Sequence, residues 1–546
     1  MLLAVAMAAS GLLLVVLGSK LSFFLDDWTY ILYRRDFNAD AFLSPANEHL
    51  VAGAVATWKL LLSGAGLGSA LPFRLVSTAM FLLGNWFLYV WIKRRLGAWP
   101  ALLATVPVLF LGAAFEDLFW FSSITFLGAT ACGLGMLVAL DRRDRLGDRL
   151  ACAWLVGSML FSSLWLAFAI GAAVDVVLRR DERDWRRRAY VVAVPVVLYA
   201  IWWIGWGDNG ESSITLHNIA TTPLFVLDSL AAAIGALFGL ATPVEGSPSP
   251  PGLDWGRPLA VGLGALGAWR LHRLERVPRS LWVVLAIALA FWILGGFAVK
   301  PGRVPWASRY QYPGAVLVLL VAAEMLRGIK LERRLFAPAV VVVAAAVAGN
   351  GLVLRQSYDF YLETSQIIRG NLTALEIARN TVDPSFYLEE EFADTGFDHI
   401  DAGSYLSAVD AYGSPAYTVD ELRTSPEFAR FAADKVLLNA LRVVVEPISR
   451  SAAPHHGCFT ASGSREFEVP PGGVAITAGA RPVTDVEMRR FATPGEDGPM
   501  PVAFQTEVSA GEAVAIPIPI DLSTVPWKMQ LEGGAATVCG LEPETG

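Results

Sequence analysis

The sequence predicts a polytopic α-helical membrane protein of about eleven spans, each near the ~20-residue crossing length, with a C-terminal extracytoplasmic α+β domain ending in a small β-sandwich. Three observations predict this class. Of 546 residues, 54% are hydrophobic and only 17% charged, with a mean hydropathy of +0.48, whereas soluble domains carry about 25% charged residues. The first 355 residues are apolar runs separated by short Arg-rich loops. The remainder is mixed and acidic, so the chain is built for two solvents, lipid first and water second.

Residues 1–24 lack the basic n-region and small-residue cleavage site of a secretory signal and read as a retained first span. Lys93-Arg94-Arg95 and the basic runs 142–149, 179–188, 273–279 and 327–334 are placed in the cytoplasm, because short cytoplasmic loops retain Lys and Arg. The run 150–178 is too long for one crossing yet has basic loops at both ends, which predicts a hairpin turning near Ser162-Ser163. Spans are then expected near 1–24, 71–92, 98–114, 118–140, 150–162, 164–178, 189–206, 257–271, 281–298, 312–328 and 336–355. An odd number leaves the N-terminus cytoplasmic and the C-terminal domain outside. Two apolar stretches, 48–62 and 221–241, would put basic runs on the wrong side if they crossed, and are expected as helices on or dipping into the interface.

The expected domains are 1–355 in the membrane, 356–443 helical and 444–546 β-rich, the last two extracytoplasmic. SPEFARFAADKVLLNALRV has helical apolar spacing, whereas REFEVP, GVAITAG, AVAIPIPI and ATVCG are short alternating runs. The net charge of −7, with arginines beside spans rather than on one soluble face, excludes a nucleic-acid partner. Cys132 and Cys152 lie in apolar runs and read as packing residues. Cys458 and Cys539, if outside the cell, could form one disulfide. His455-His456 reads as surface loop, and the sequon at Asn371 carries no information without a host.

The outside loops carry the unusual residues. The first begins LDDWTY (25–30) and reaches SPANEHL (44–50), and the second contains AFEDLFW (114–120). Singly, Asp26-Asp27 and Glu116-Asp117 suit helix caps and His49 a polar interface position. Their shared placement on one face supports a functional reading, since acidic residues near membrane depth are costly. KPGRVPWASRYQYP (300–313) adds Lys300, Arg303 and Arg309 among aromatic residues, where snorkelling anchorage is the ordinary reading.

These motifs resemble the GT-C fold glycosyltransferases, membrane enzymes that take a sugar from a polyprenyl-phosphate carrier and include protein O-mannosyltransferases and bacterial aminoarabinose transferases. Asp26-Asp27 after the first span, Asn47-Glu48-His49 before an interfacial helix, Glu116-Asp117 in the next outside loop, Arg74 and the Lys93-to-Gly97 exit carry the resemblance. It departs where the family often has Asp-Glu for Asp26-Asp27 and Pro-Pro-Leu for Glu48-His49-Leu50.

The resemblance implies single-displacement glycosyl transfer at the outer face of the plasma membrane of a bacterial cell envelope. A polyprenyl-phosphate-linked sugar is the donor, and a glycan, lipid or protein is the acceptor. Asp26 is the expected general base, with Asp27, about 100° away on a helix, in support. Glu48, His49, Glu116 and Asp117 would bind substrate or hold a divalent metal ion. Arg303 and Arg309 would stabilise the leaving phosphate. The rival classes are a transporter or flippase of an envelope lipid or polymer, which predicts mid-membrane ionisable residues and an internal repeat, and a non-catalytic scaffold.

Overall fold

The computed structural model describes the chain except residues 181–184, 208–213, 243–249, 275, 330–332, 389–399, 454–456, 464–465, 493–503 and 543–546. His455, His456 and part of the Pro-rich stretch at 247–252 thus lie outside the described residues. The chain forms two compact units, each assembled from separated stretches: Met1–Lys20, Tyr33–Leu61 and Leu71–Tyr361 in the first, Leu21–Leu32, Leu62–Ala70 and Leu362–Gly546 in the second.

In the first unit, a helix stands at each expected span. Among the described residues, five helices are long and apolar enough to cross a membrane: Leu71–Leu96, Phe121–Leu140, Leu216–Leu237, Arg279–Phe297 and Phe336–Ile377. Ala98–Leu109 and Gly112–Phe119, bent by 47°, make a sixth if taken as one span. Leu2–Gly18, Trp165–Leu178 and Tyr190–Trp206 are apolar but shorter. Arg145–Phe161, Leu253–Arg273 and Ser308–Met325 complete the set. The difference from about eleven spans is therefore one of length and polarity, since a 17-residue helix reaches only about 26 Å at 1.5 Å per residue. The apolar window of Phe121–Leu140 is 83% buried and that of Phe336–Ile377 only 22%, which puts the former at the centre and leaves the latter open to lipid. Central packing needs small residues: a Cβ on Gly133 would stand 2.3 Å from the Phe168 ring.

The basic clusters meet at one end of this unit. Arg95 pairs with Asp141 at 2.9 Å and with the buried Glu324, which also accepts from Ser280 Oγ at 2.7 Å. Arg270 donates to the carbonyls of Met325 and Arg327, both at 3.3 Å, and Arg188 pairs with Asp148 at 2.9 Å. The loops 33–51, 110–123, 162–164 and 298–307 lie at the other end. Two helices cross that end. In Ala52–Ala65, Gly53 abuts the Leu160 carbonyl, and Trp58 stacks with Phe73 and Phe121 at 5.1 and 4.8 Å. In Leu216–Leu237, Asn218 Nδ2 donates to Val299 O at 3.0 Å at one end, and Ala236 O accepts from Asn350 Nδ2 at 2.8 Å at the other. The second helix is long enough to span, yet its partners are the loop-side ends of neighbouring helices.

The second unit contains Leu21–Leu32, the end of helix Phe336–Ile377, helices Ala402–Tyr412, Val419–Arg423 and Glu427–Ala440, and a β-sandwich. The 42-residue helix Phe336–Ile377 runs through position 355, where the last span was expected to end. No proline follows Pro338 until Pro384, so nothing there interrupts the backbone ladder. Asn371 is fully buried on this helix, so the sequon is not presented at the surface.

The strands are β1 (Glu446–Ile448), β2 (Phe459–Ala461), β3 (Glu466–Glu468), β4 (Gly472–Ala478), β5 (Val483–Arg489), β6 (Gln505–Val508), β7 (Ala513–Ile518), β8 (Lys528–Gly533) and β9 (Ala536–Gly540). They form one antiparallel sheet in the order β1-β7-β4-β9-β2 and a second in the order β3-β8-β5-β6. Val486 and Met488 of β5, with Met529 and Leu531 of β8, alternate inward and are buried.

Cys458 and Cys539 form a disulfide across 81 residues of chain. Closing a loop of that length removes about 4 kcal/mol of unfolded-chain entropy. The double variant Cys458→Ser/Cys539→Ser is expected to lower the unfolding free energy of the second unit by about that amount, seen in calorimetry as a lower midpoint temperature. An unchanged midpoint would refute it.

Candidate functional site

Six of the eight expected site residues lie in the loops of the first unit, at the end opposite its basic clusters. The first element is a tight turn. Ala46 and His49 exchange backbone hydrogen bonds at 3.0 and 2.9 Å, and the two residues between them take positive φ, Asn47 at 48° and Glu48 at 70°. Such a turn demands left-handed backbone at both central positions, which Asn tolerates and Glu does not. Strain of about 1 kcal/mol is thus held at Glu48. His49 Nδ1 lies 2.8 Å from Ser163 Oγ, fixing the turn to the break between Arg145–Phe161 and Trp165–Leu178.

The approach to this turn is built on two cations that the sequence reading passed over. Arg34, buried, donates to the carbonyls of Ala41 (3.3 Å), Ser44 (2.9 Å) and Pro45 (2.8 Å). Lys59 Nζ donates to the Arg34 and Asp36 carbonyls at 2.5 and 2.6 Å. Trp202 and Trp206 donate from Nε1 to Leu43 O at 2.7 Å and Asp40 Oδ1 at 2.9 Å. The available signal was that Arg34 and Lys59 are cations on the side where the positive-inside rule leaves few.

The second element is the bend after Pro107. A Cβ on Gly112 would stand 1.9 Å from the Asn350 carbonyl, so only glycine lets the backbone come this close. Helix Phe115–Phe119 follows and carries Glu116 and Asp117. Ser308 Oγ accepts from the Glu116 N–H at 3.1 Å and donates to Ala113 O at 2.7 Å, a bridge that sequence reasoning did not anticipate. Arg309 N–H donates to Glu116 Oε2 at 3.0 Å, and the Arg309 Nε stands 3.6 Å from the same oxygen.

The third element is the 298–307 loop. Arg303 N–H donates to Lys300 O at 2.8 Å around Gly302, whose φ is 78°, and Arg309 Nη2 donates to Gly302 O at 2.7 Å. Three cations are thus gathered on one turn. Glu48 faces two of them, with Lys300 at 4.0 Å and Arg303 at 3.8 Å. Charge-assisted hydrogen bonds run at about 2.7–2.9 Å, so these pairs are electrostatic neighbours with donor capacity left over.

Asp117 is fully buried, and neither carboxylate oxygen has a hydrogen-bond partner among the described residues. Burial pushes its carboxyl well above the usual carboxylate range and Glu116 adds to this, with Arg309 opposing. Burial therefore favours the protonated form of Asp117. Lys300, Arg303 and Arg309 stand beside Glu48 and Glu116, and a buried acid that favours its neutral form offsets them less than an exposed one would, which suits the site to an anion.

His49 is pushed down from 6.5 to about 4, chiefly by burial and then by Arg303 and Lys300. An imidazole depressed in the folded state binds fewer protons than in the unfolded chain between those two values. Its stabilising contribution is complete above about 6.5 and is lost as the pH falls towards 4. The unfolding midpoint is expected to drop across that window, and His49→Gln to flatten the slope. An identical pH profile in the variant would refute the assignment.

Asp26 and Asp27 belong to the second unit. Asp26 is half-buried, and Asp27, fully buried, begins helix Asp27–Leu32 and accepts the Phe24 N–H on Oδ2 at 2.9 Å. A divalent ion finds no ligand set: among the described residues no three His, Cys, Asp or Glu side chains converge. Lys300, Arg303 and Arg309 stand beside Glu48 and Glu116, where a metal would have to bind.

Fold and site together define a polytopic membrane protein with a cation-rich site, partly balanced by carboxylates, in the loops opposite its basic end. No protein-family model matches the chain, and no curated protein matches it. Among solved structures the chain is similar to ArnT from Cupriavidus metallidurans bound to undecaprenyl phosphate, with 14% identity and a TM-score of 0.47, covering 77% of this chain and 90% of that one. It is also similar to ArnT from Cupriavidus metallidurans in the apo state, with 14% identity and a TM-score of 0.45, covering 82% of this chain and 96% of that one.

Proposed function

We propose that this chain is a membrane glycosyltransferase that moves a sugar from a polyprenyl-phosphate carrier to a hydroxyl acceptor at the outer face of the plasma membrane. The observation that carries the reading is the anion-suited cluster of Lys300, Arg303 and Arg309, held by Glu48 and Glu116 beside the buried Asp117. In the reaction the acceptor oxygen attacks the anomeric carbon as the carbon–oxygen bond to the lipid phosphate breaks. The hydroxyl proton passes to Asp26, and the phosphate leaves with the bond pair. Arg303 and Arg309 receive the charge that develops on the phosphate, an effect larger in the transition state than in the bound donor.

Neutral His49 supports the Glu48 turn through Ser163. The basic end lies in the cytoplasm with the N-terminus, and the second unit lies outside. The test is transfer by the full chain in lipid, using a panel of polyprenyl-phosphate sugars. Release of polyprenyl phosphate with at least one donor is expected. Absence of release with every donor, while lipid is still bound, would sink the enzyme reading and favour a transporter or flippase.

A further inference from the structure

The segment that carries Asp26 and Asp27 follows the first helix in sequence, yet it is folded into the unit formed by the C-terminal third of the chain. Its attachments are specific. Ser22 N–H donates to Ser365 Oγ at 3.0 Å. Trp28, 1% exposed, meets the ring of the fully buried Tyr405 edge-on, with centroids 6.0 Å apart and planes at 71°. Phe23 packs against the other side of Trp28 at 6.1 Å.

Tyr405 is itself fixed. Its hydroxyl donates to Glu376 Oε1 at 2.6 Å, and Ser414 Oγ donates to the same oxygen at 2.5 Å. The next stretch of this unit is tied to the same helix, because Leu67 N–H donates to Tyr412 O at 2.8 Å. Tyr405 thus presents a rigid ring to Trp28 from a helix anchored at both its middle and its end. Two residues before Trp28 stands Asp26, on a turn closed by the bond from Phe24 N–H to the Asp27 carboxylate.

We propose that the C-terminal unit serves catalysis by holding the general base. Trp28, Tyr405 and Glu376 are positioning residues that set where the Asp26 carboxylate stands. The inference rests on the glycosyl-transfer reading above. Its physical ground is that a general base works only within hydrogen-bond reach of the proton it takes, and a loop this short has no such precision unless packing supplies it. An aromatic pair is worth roughly 1 kcal/mol beyond its buried area, enough to select one arrangement of a six-residue helix that could not form alone.

The test uses the full chain in lipid with the variants Tyr405→Leu, Trp28→Leu and Tyr405→Phe. Two measurements are made on each: kcat and donor KM, and backbone hydrogen exchange over residues 21–32. Tyr405→Leu and Trp28→Leu are expected to lower kcat roughly 100-fold, the effect of an ångström-scale misplacement, with donor KM within about twofold and faster exchange over 21–32. Tyr405→Phe, which keeps the ring but loses the hydroxyl bond to Glu376, is expected to fall between wild type and Tyr405→Leu in kcat.

Faster exchange with unchanged kcat would overturn the proposal, as would unchanged exchange in both leucine variants. Should Tyr405→Leu fail to fold, Trp28→Leu probes the same contact from the side of the short segment. A wild type that turns over no donor would sink the transfer reading instead. That failure is told apart from a failure of positioning by the exchange data, which do not depend on turnover.

Discussion

Asp26→Asn is expected to lower sugar transfer by about a thousandfold while the protein remains folded and binds its donor lipid. The size follows from what general-base catalysis supplies, roughly 10²–10⁴-fold. Asn keeps the shape and polarity of the side chain and removes its capacity to accept the acceptor proton. Because Asp26 is only half-buried, the exchange of one oxygen for an amide costs little stability. The measurement is initial-rate release of polyprenyl phosphate, beside a thermal midpoint and a donor-binding isotherm for wild type and variant. A variant retaining a tenth or more of wild-type kcat would remove Asp26 from the role of base. Asp27 offers the contrast: its carboxylate accepts the Phe24 N–H at 2.9 Å in a fully buried position. Its replacement by Ala is felt first as instability of the turn.

Arg303→Gln and Arg309→Gln are each expected to lower kcat by roughly 10²–10³-fold, the usual loss when one donor to a developing anion is removed. The two differ in their secondary effects. Arg303 stands 3.8 Å from Glu48 and has little else to hold. Arg309 also carries the Gly302 carbonyl on Nη2 and lies beside Glu116, so its loss loosens the 298–307 turn as well. Lys at position 309 is expected to recover only part of the activity, because a point charge cannot reproduce the planar fork. Arg270→Gln is the control, since Arg270 sits at the basic end against the Met325 and Arg327 carbonyls and should leave transfer unchanged. If Arg303→Gln and Arg309→Gln behave like Arg270→Gln, the cationic cluster is anchorage and not part of the site.

The loops that hold these residues were legible because the chain departs there from what lipid tolerates. Glu48, Glu116 and the Lys300–Arg309 cations interrupt otherwise apolar sequence, and interruptions of that kind are visible one residue at a time. The break at Ser162-Ser163 was legible from the length of its apolar run and the basic loops at both ends, and it falls between helices Arg145–Phe161 and Trp165–Leu178. The length of helix Phe336–Ile377 was not, because the end of an apolar stretch was read as the end of a helix, and a helix leaving lipid can continue in water. Ser308 and Ser163 gave no signal, since a serine that bridges two backbone groups looks like any other serine until its neighbours are known.

The sequence by itself determined the segregation of the chain: where the apolar helices stand, which loops carry Arg, and that carboxylates and a second set of cations occupy the others. Those are local properties, set by the cost of placing each side chain in lipid or water. Only the tertiary structure decided that Glu48 faces Lys300 and Arg303, that Glu116 faces Arg309, and that Asp117 is buried with its carboxyl pushed up. It alone assigned Leu21–Leu32 to the unit built from the other end of the chain. Pairing and protonation depend on distance and burial between residues hundreds of positions apart, and no periodicity along the chain encodes either.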